Sequence, residues 1–313
     1  MWGEILGTIF SVSTLDSAIR LATPIALAAM GGTFSERAGI INIGLEGMLL
    51  TGSFAAVLGS FLTGSPWVGV VLAIIAGSLS AGVFSFFTVE LKANHVVAGV
   101  GINILALGIT TWMMQVIWGS RGTSPDVQGV PAIRLGFLEN VPIIGTLFGE
   151  QSPFVYLMVL LIFGGWLLLF RTPLGLRIRM TGEHPEAADT LGINVRFIKH
   201  FSVILGGALC GFGGAYLSLG HLNWFSMNMT AGRGYMALAA NIFGQWNPFG
   251  GLGASLLFSF ADAVQIRLQG VDMALPHSLI QMLPYLLTII VLAGAVLRSR
   301  PPAALGNHYT PGT

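Results

Sequence analysis

From Gly47 to Val89 the chain carries no Asp, Glu, Lys or Arg. About 20 apolar residues in a helix, rising 1.5 Å each, cross the ~30 Å of bilayer hydrocarbon. The run is twice that length and is punctuated by Thr63-Gly64-Ser65-Pro66, so it reads as two membrane helices joined by a tight turn. Further charge-free runs cover Asn94 to Ser120, Gln151 to Phe170, His200 to Gly232, Gly234 to Ala261 and Met273 to Leu297. With Asp16 to Phe34 the count is about eight spans, within a range of eight to ten. Only 9% of the residues are charged, against about 25% in soluble domains, so no water-facing surface could be covered. The expected fold is an all-α, polytopic membrane bundle forming one transmembrane domain over residues 1–313.

Two polar stretches separate the spans: an outer loop over residues 120–152 and a charge-dense loop over 171–200. Placing the second in the cytoplasm puts Arg171, Arg177, Arg179, Arg196 and Lys199 inside, and alternation adds Arg37, Lys92, Arg298 and Arg300. Nine of the 14 basic residues then obey the positive-inside rule. The same alternation places Arg121 to Glu150, His221 to Thr230, Leu268 to Pro276 and the N-terminus outside. Met1 to Glu4 lacks the basic start of a cleaved signal peptide, so insertion is expected to use the first span. The single Cys210 lies in an apolar run and reads as a structural thiol.

Glycine supplies 43 residues, many of them paired. Small residues let membrane helices approach closely, which accounts for most of them. Those near Ser35 to Gly47 and Gly232 to Gly253 also fit broken or re-entrant helices lining a path. Ala22 to Leu58 and Ile204 to Phe243 share one order, apolar helix, Gly-Gly, polar break, small-residue helix, as internal repeats of transporters do.

No Gly-x-x-x-x-Gly-Lys-Ser/Thr loop occurs, so any ATP must be bound by a partner. The six histidines show no metal-ligand spacing, and no catalytic grouping can be argued. The loop from Arg171 to Lys199 is more informative. Pro185 suits a helix start, Glu186 and Asp189 its positive end, and Gly192 its stop, which predicts a short cytoplasmic helix. An ordinary connector would not need a loop this long between adjacent spans, so a docking element is the better reading.

Here the chain resembles the permeases of ATP-binding-cassette importers, whose cytoplasmic loop carries Glu-Ala-Ala, three residues, then Gly; Glu186, Ala187, Ala188 and Gly192 match, without the usual continuation toward Ile-x-Leu-Pro. Ser35-Glu-Arg-Ala-Gly-Ile-Ile-Asn-Ile-Gly-Leu-Glu-Gly-Met48 resembles the signature of the nucleoside and simple-sugar permeases related to the ribose and branched-chain amino-acid importers. The resemblance implies a type II importer-like fold in the bacterial inner membrane. It also implies three partners: a cassette ATPase docking on the Glu186 loop, a second, longer permease, and an extracytoplasmic lipoprotein that delivers nucleosides. Nothing suggests a nucleic-acid partner.

Glu46 stands at the end of a span, where an ionised carboxylate costs roughly 2.5 to 3.5 kcal/mol. It either pairs with Arg37 near the cytoplasmic interface or serves the pathway, and Asn42 shares both readings. Further pathway candidates are Asn103 and Asn241, each in mid-run, with Trp224 and Trp246; Asn94, His95, Asn223 and Gln245 are weaker ones. Asp262 and Arg267 read as a local ion pair. The rival hypothesis is a self-sufficient secondary transporter or channel with Glu46 and Asp262 as ion sites; a membrane enzyme ranks last.

Overall fold

The computed structural model describes residues 11–134, 144–269, 282, 286, 289 and 300–310. The expected span Met273 to Leu297 and Arg298 therefore lie outside the described residues. Helix α1 (Val12–Arg37) is capped by the Ser11 hydroxyl and contains Pro24. Helix α2 (Leu45–Thr63) turns through Gly64 and Ser65 into α3 (Pro66–Ser85), which continues as a π-helical stretch Phe86–Glu90. Asn94 caps α4 (His95–Trp118) with bonds from the N–H groups of Val96 and Val97. In the polar loop over residues 120–152 the strands β1 (Ile133–Arg134) and β2 (Glu150–Gln151) pair antiparallel around α5 (Ile144–Phe148). Helix α6 (Pro153–Arg171) leads to the short helices α7 (Pro173–Glu183) and α8 (Pro185–Thr190).

Helix α9 (Val195–Ala215) and its π-helical extension Tyr216–Leu222 are the spine of the bundle, packed on α1, α2 and α3. Its glycines account for this position. A methyl group on Gly31 would stand 2.5 Å from the Gly206 carbonyl oxygen, and one on Gly77 2.3 Å from that of Gly207. Backbones approach at these points as close packing in lipid requires. In the most apolar 18-residue stretch of segment 195–222, 78% of the residues are accordingly buried, against 22% in that of α4, which has Val97, Ile104 and Trp112 exposed and faces lipid or a partner.

Among the described residues six helical segments are long and apolar enough to cross a membrane, and α1, with 26 residues, has the length but carries four charges. The run Gly234 to Ala261 is not one span. It forms a half-length helix α10 (Arg233–Phe243), a turn, and α11 (Pro248–Leu268). Asn247 caps α11 and Pro248 occupies its first turn, so the chain breaks where capping chemistry demands it. The shared order of Ala22 to Leu58 and Ile204 to Phe243 is present as helix, non-helical break, helix in each.

Candidate functional site

The polar residues between Ser35 and Met48 converge on α10 and hold it at both ends. Residues 38–44 leave the helix and climb beside α4: the Ile41 N–H meets His95, and the Ile43 carbonyl accepts from Asn103 at 3.0 Å. Asn103 is eight residues beyond His95, so α2 begins about 12 Å above the start of α4. Helix α10, 11 residues long, rises about 16 Å from its cytoplasmic turn. The N-termini of α2 and α10 therefore meet about half the ~30 Å hydrocarbon thickness away from the turn that ends α10.

Glu46 joins them. One of its carboxylate oxygens accepts the Gly232 N–H at 2.8 Å and the other the Gly234 N–H at 2.6 Å, with the residue 7% exposed. Gly232 lacks a capping side chain, so the first N–H groups of α10, which no helical carbonyl can satisfy, are capped from another helix. Gly234 permits the approach, because a methyl group there would lie 2.4 Å from the Glu46 nitrogen. Of the two readings of Glu46, the pair with Arg37 is not formed: the break at 38–44 separates them, and Glu46 and Arg37 bond to opposite ends of α10.

Arg37 instead holds the other end of α10. Its Nε donates to the Trp246 carbonyl at 2.9 Å and its Nη2 to that of Gln245 at 3.2 Å. Neighbouring Glu36, 2% exposed, accepts from the Asn241 amide at 2.7 Å and from the Trp246 indole N–H. The turn needs this grip, since Gln245 and Trp246 adopt φ of 54° and 53°, left-handed values that cost non-glycine residues of order 1–3 kcal/mol. Asn103 completes the clamp by accepting the Gly47 N–H at 2.8 Å and donating to the Tyr235 hydroxyl at 3.0 Å.

Asn42, Asn241 and Trp246 thus lie buried with their polar groups bonded inside the chain; Asn42 accepts from Gly44 and donates to Ser35, and Asn241 accepts from Thr33. Trp224 is exposed at the outer end, where its neighbour Asn223 accepts the Val127 N–H. The expected Asp262–Arg267 pair is replaced by a longer-range arrangement, with Asp262 facing Arg233 electrostatically and Arg267 reaching Ser17 at 3.5 Å. Residues five apart stand on different sides of a helix. Glu36, Arg233 and Tyr235 are additions to the expected set. Arg233 had a signal in the sequence, as the only charge between Lys199 and Asp262.

The second motif faces outward. Glu186 and Ala187 are exposed on α8, Ala188 is buried beneath it, and Leu191 is 69% exposed. The chain leaves α8 through Gly192 at φ 77°, with the Ile193 N–H bonded to the Ala188 carbonyl at 3.1 Å.

Residues 14–292 match the family described as the permease component of the branched-chain amino acid transport system. The chain belongs to this family. It is 38% identical to the guanosine ABC transporter permease NupQ of Bacillus subtilis over 93% of this chain and 94% of that protein. The nucleoside permease NupC of Lactococcus lactis is 36% identical over 92% and 93%. A second guanosine permease of Bacillus subtilis, NupP, is 27% identical over 78% of this chain and 70% of its own length. Permeases of this family are multi-pass membrane transport proteins that work with an ATPase and further transporter components, and they are not themselves enzymes.

Proposed function

We propose that this chain is one of two unlike permease subunits of a nucleoside importer in the bacterial inner membrane, with the clamped helix α10 as its inner gate and α8 as the seat of its ATPase. The observation that carries this is the opposed facing of the two motifs, one turned wholly onto the gate helix and the other presented to the cytoplasm. Relatives named for guanosine and nucleosides at 38% and 36% identity support the substrate class. The match to two different guanosine permeases of one organism supports an unlike pair. ATP is bound by the partner ATPase, and an extracytoplasmic lipoprotein supplies the nucleoside.

The rival secondary-transporter reading needs Glu46 as a cation site. Both of its oxygens already accept N–H groups at the positive end of a helix, which is a poor place for a cation. In proteoliposomes the isolated chain is expected neither to hydrolyse ATP nor to take up labelled guanosine, and adding the ATPase, second permease and binding protein restores both. Uptake by the isolated chain under an ion gradient would overturn the reading.

A further inference from the structure

A cluster of basic side chains takes no part in the clamp. At the cytoplasmic ends of α3, α4 and α9 a small cavity of about 10 Å³ is lined by Lys92, His95, Arg196 and Lys199, with His308 and Tyr309 of the C-terminal segment over it, and no Asp or Glu lines it. The volume admits one water-sized group.

One donor in this lining is unmet and another is short of partners. Lys199 is 2% exposed, and its ammonium group has one acceptor, the Asn307 carbonyl at 3.4 Å. Among the described residues no carboxylate forms an ion pair with it. His95 is 3% exposed and accepts the Ile41 N–H on Nδ1 at 3.4 Å. That bond leaves the neutral ring's proton on Nε2, which is buried without a partner. A water could serve the imidazole but would leave the ammonium uncompensated, and a buried charge calls for a counter-charge. At the mouth, Lys92 donates to the Thr310 hydroxyl at 3.0 Å, and Arg196 lies 3.5 Å from Glu90, which also holds His200 at 3.0 Å. The Glu90 carboxylate at the mouth is thus already shared between two bases.

We propose that this cavity is a phosphate site: one phosphate oxygen enters between Lys199 and His95 while Lys92 and Arg196 meet the rest at the mouth. The source favoured by the surroundings is the headgroup of an anionic phospholipid. Leu91, Val97 and Phe197 beside these bases are 57%, 71% and 60% exposed, an apolar rim suited to acyl chains. Basic pockets between helices at the cytoplasmic boundary bind such headgroups.

The test uses the purified importer complex in nanodiscs of phosphatidylcholine with a minority of phosphatidylglycerol, counting retained lipids by native mass spectrometry. Phosphatidylglycerol is expected to be enriched in wild type. Lys199→Gln, and the surface variant Lys92→Gln, whose folding is not at issue, are each expected to weaken retention roughly fivefold, the factor for about 1 kcal/mol per basic residue. Arg121→Gln in the outer loop changes nothing. A second arm adds inorganic phosphate to discs of phosphatidylcholine alone and follows thermal stability. Stabilisation lost in both lysine variants would support the site with a soluble anion as its source. No enrichment and no phosphate effect in wild type, or effects the lysine variants leave untouched, would overturn the proposal.

Discussion

The segments Ser35–Met48 and Pro185–Gly192 are both short polar interruptions of an apolar chain, yet they are built oppositely. In the first, Ser35, Glu36, Asn42 and Glu46 are all buried and bonded to other parts of the same chain. In the second, Glu186, Ala187 and Leu191 are held out on a six-residue helix that could not persist alone. Polar residues whose partners are internal hold α10 to the rest of the chain. Residues held out without internal partners are surface for another molecule. Substitutions in the first segment should therefore lower the permease's own stability, and those in the second should spare it while uncoupling the ATPase.

The sharpest way to break this contrast is Gly234→Ala. The added methyl group would force α10 away from α2, and overpacking of this kind costs typically 1–3 kcal/mol. The expected outcome is a lower melting temperature of the purified permease together with loss of nucleoside uptake. Glu46→Gln should follow with a similar pattern, since charge-assisted hydrogen bonds contribute about 1.5–3 kcal/mol and the amide turns a donor toward one of the two N–H groups. Wild-type melting in this variant would show that the cap is dispensable.

Glu186→Ala should leave melting unchanged but weaken ATPase attachment by about tenfold or more, in line with a charge-assisted contact at an interface. Gly192→Pro should do likewise, because proline cannot adopt the left-handed φ found there. A pull-down of the ATPase and an uptake assay read both variants. If Glu186→Ala melted early with its ATPase still attached, the division between inward and outward motifs would be lost. The smallest effect is expected for Trp224→Ala, exposed at the outer end, with stability within about 0.5 kcal/mol and uptake close to wild type.

The spans were legible because hydrocarbon excludes charge, and uninterrupted apolar runs state that directly. The turn at Gly244–Asn247 falls within the stretch Gly232 to Gly253 whose glycines fit a broken helix, but the span count passed over it because a test that counts charges ignores caps, although Asn247 and Pro248 carried the signal. The partners of Glu46 were not legible: Gly232 and Gly234 lie more than 180 residues away, and nothing in local spacing shows which backbone a buried carboxylate will meet. The short helix after Pro185 could be read because a start, a charged first turn and a glycine stop are local signals. Glu36 stood inside the quoted signature, yet its task depends on the Trp246 turn and so on tertiary structure.

The short reach of α10 has an electrical consequence. Its roughly 16 Å is about half of the ~30 Å hydrocarbon thickness. Above it, residues 228 and 231 are exposed in non-helical backbone, which hydrocarbon does not tolerate. Water reaching that backbone would leave an insulating layer about half a membrane thick along this column, and the transmembrane voltage would fall across a correspondingly short distance. Arg233, at the upper edge of that layer, stands where the field begins to rise, and any displacement of α10 would carry its charge through the steepest part of the voltage drop.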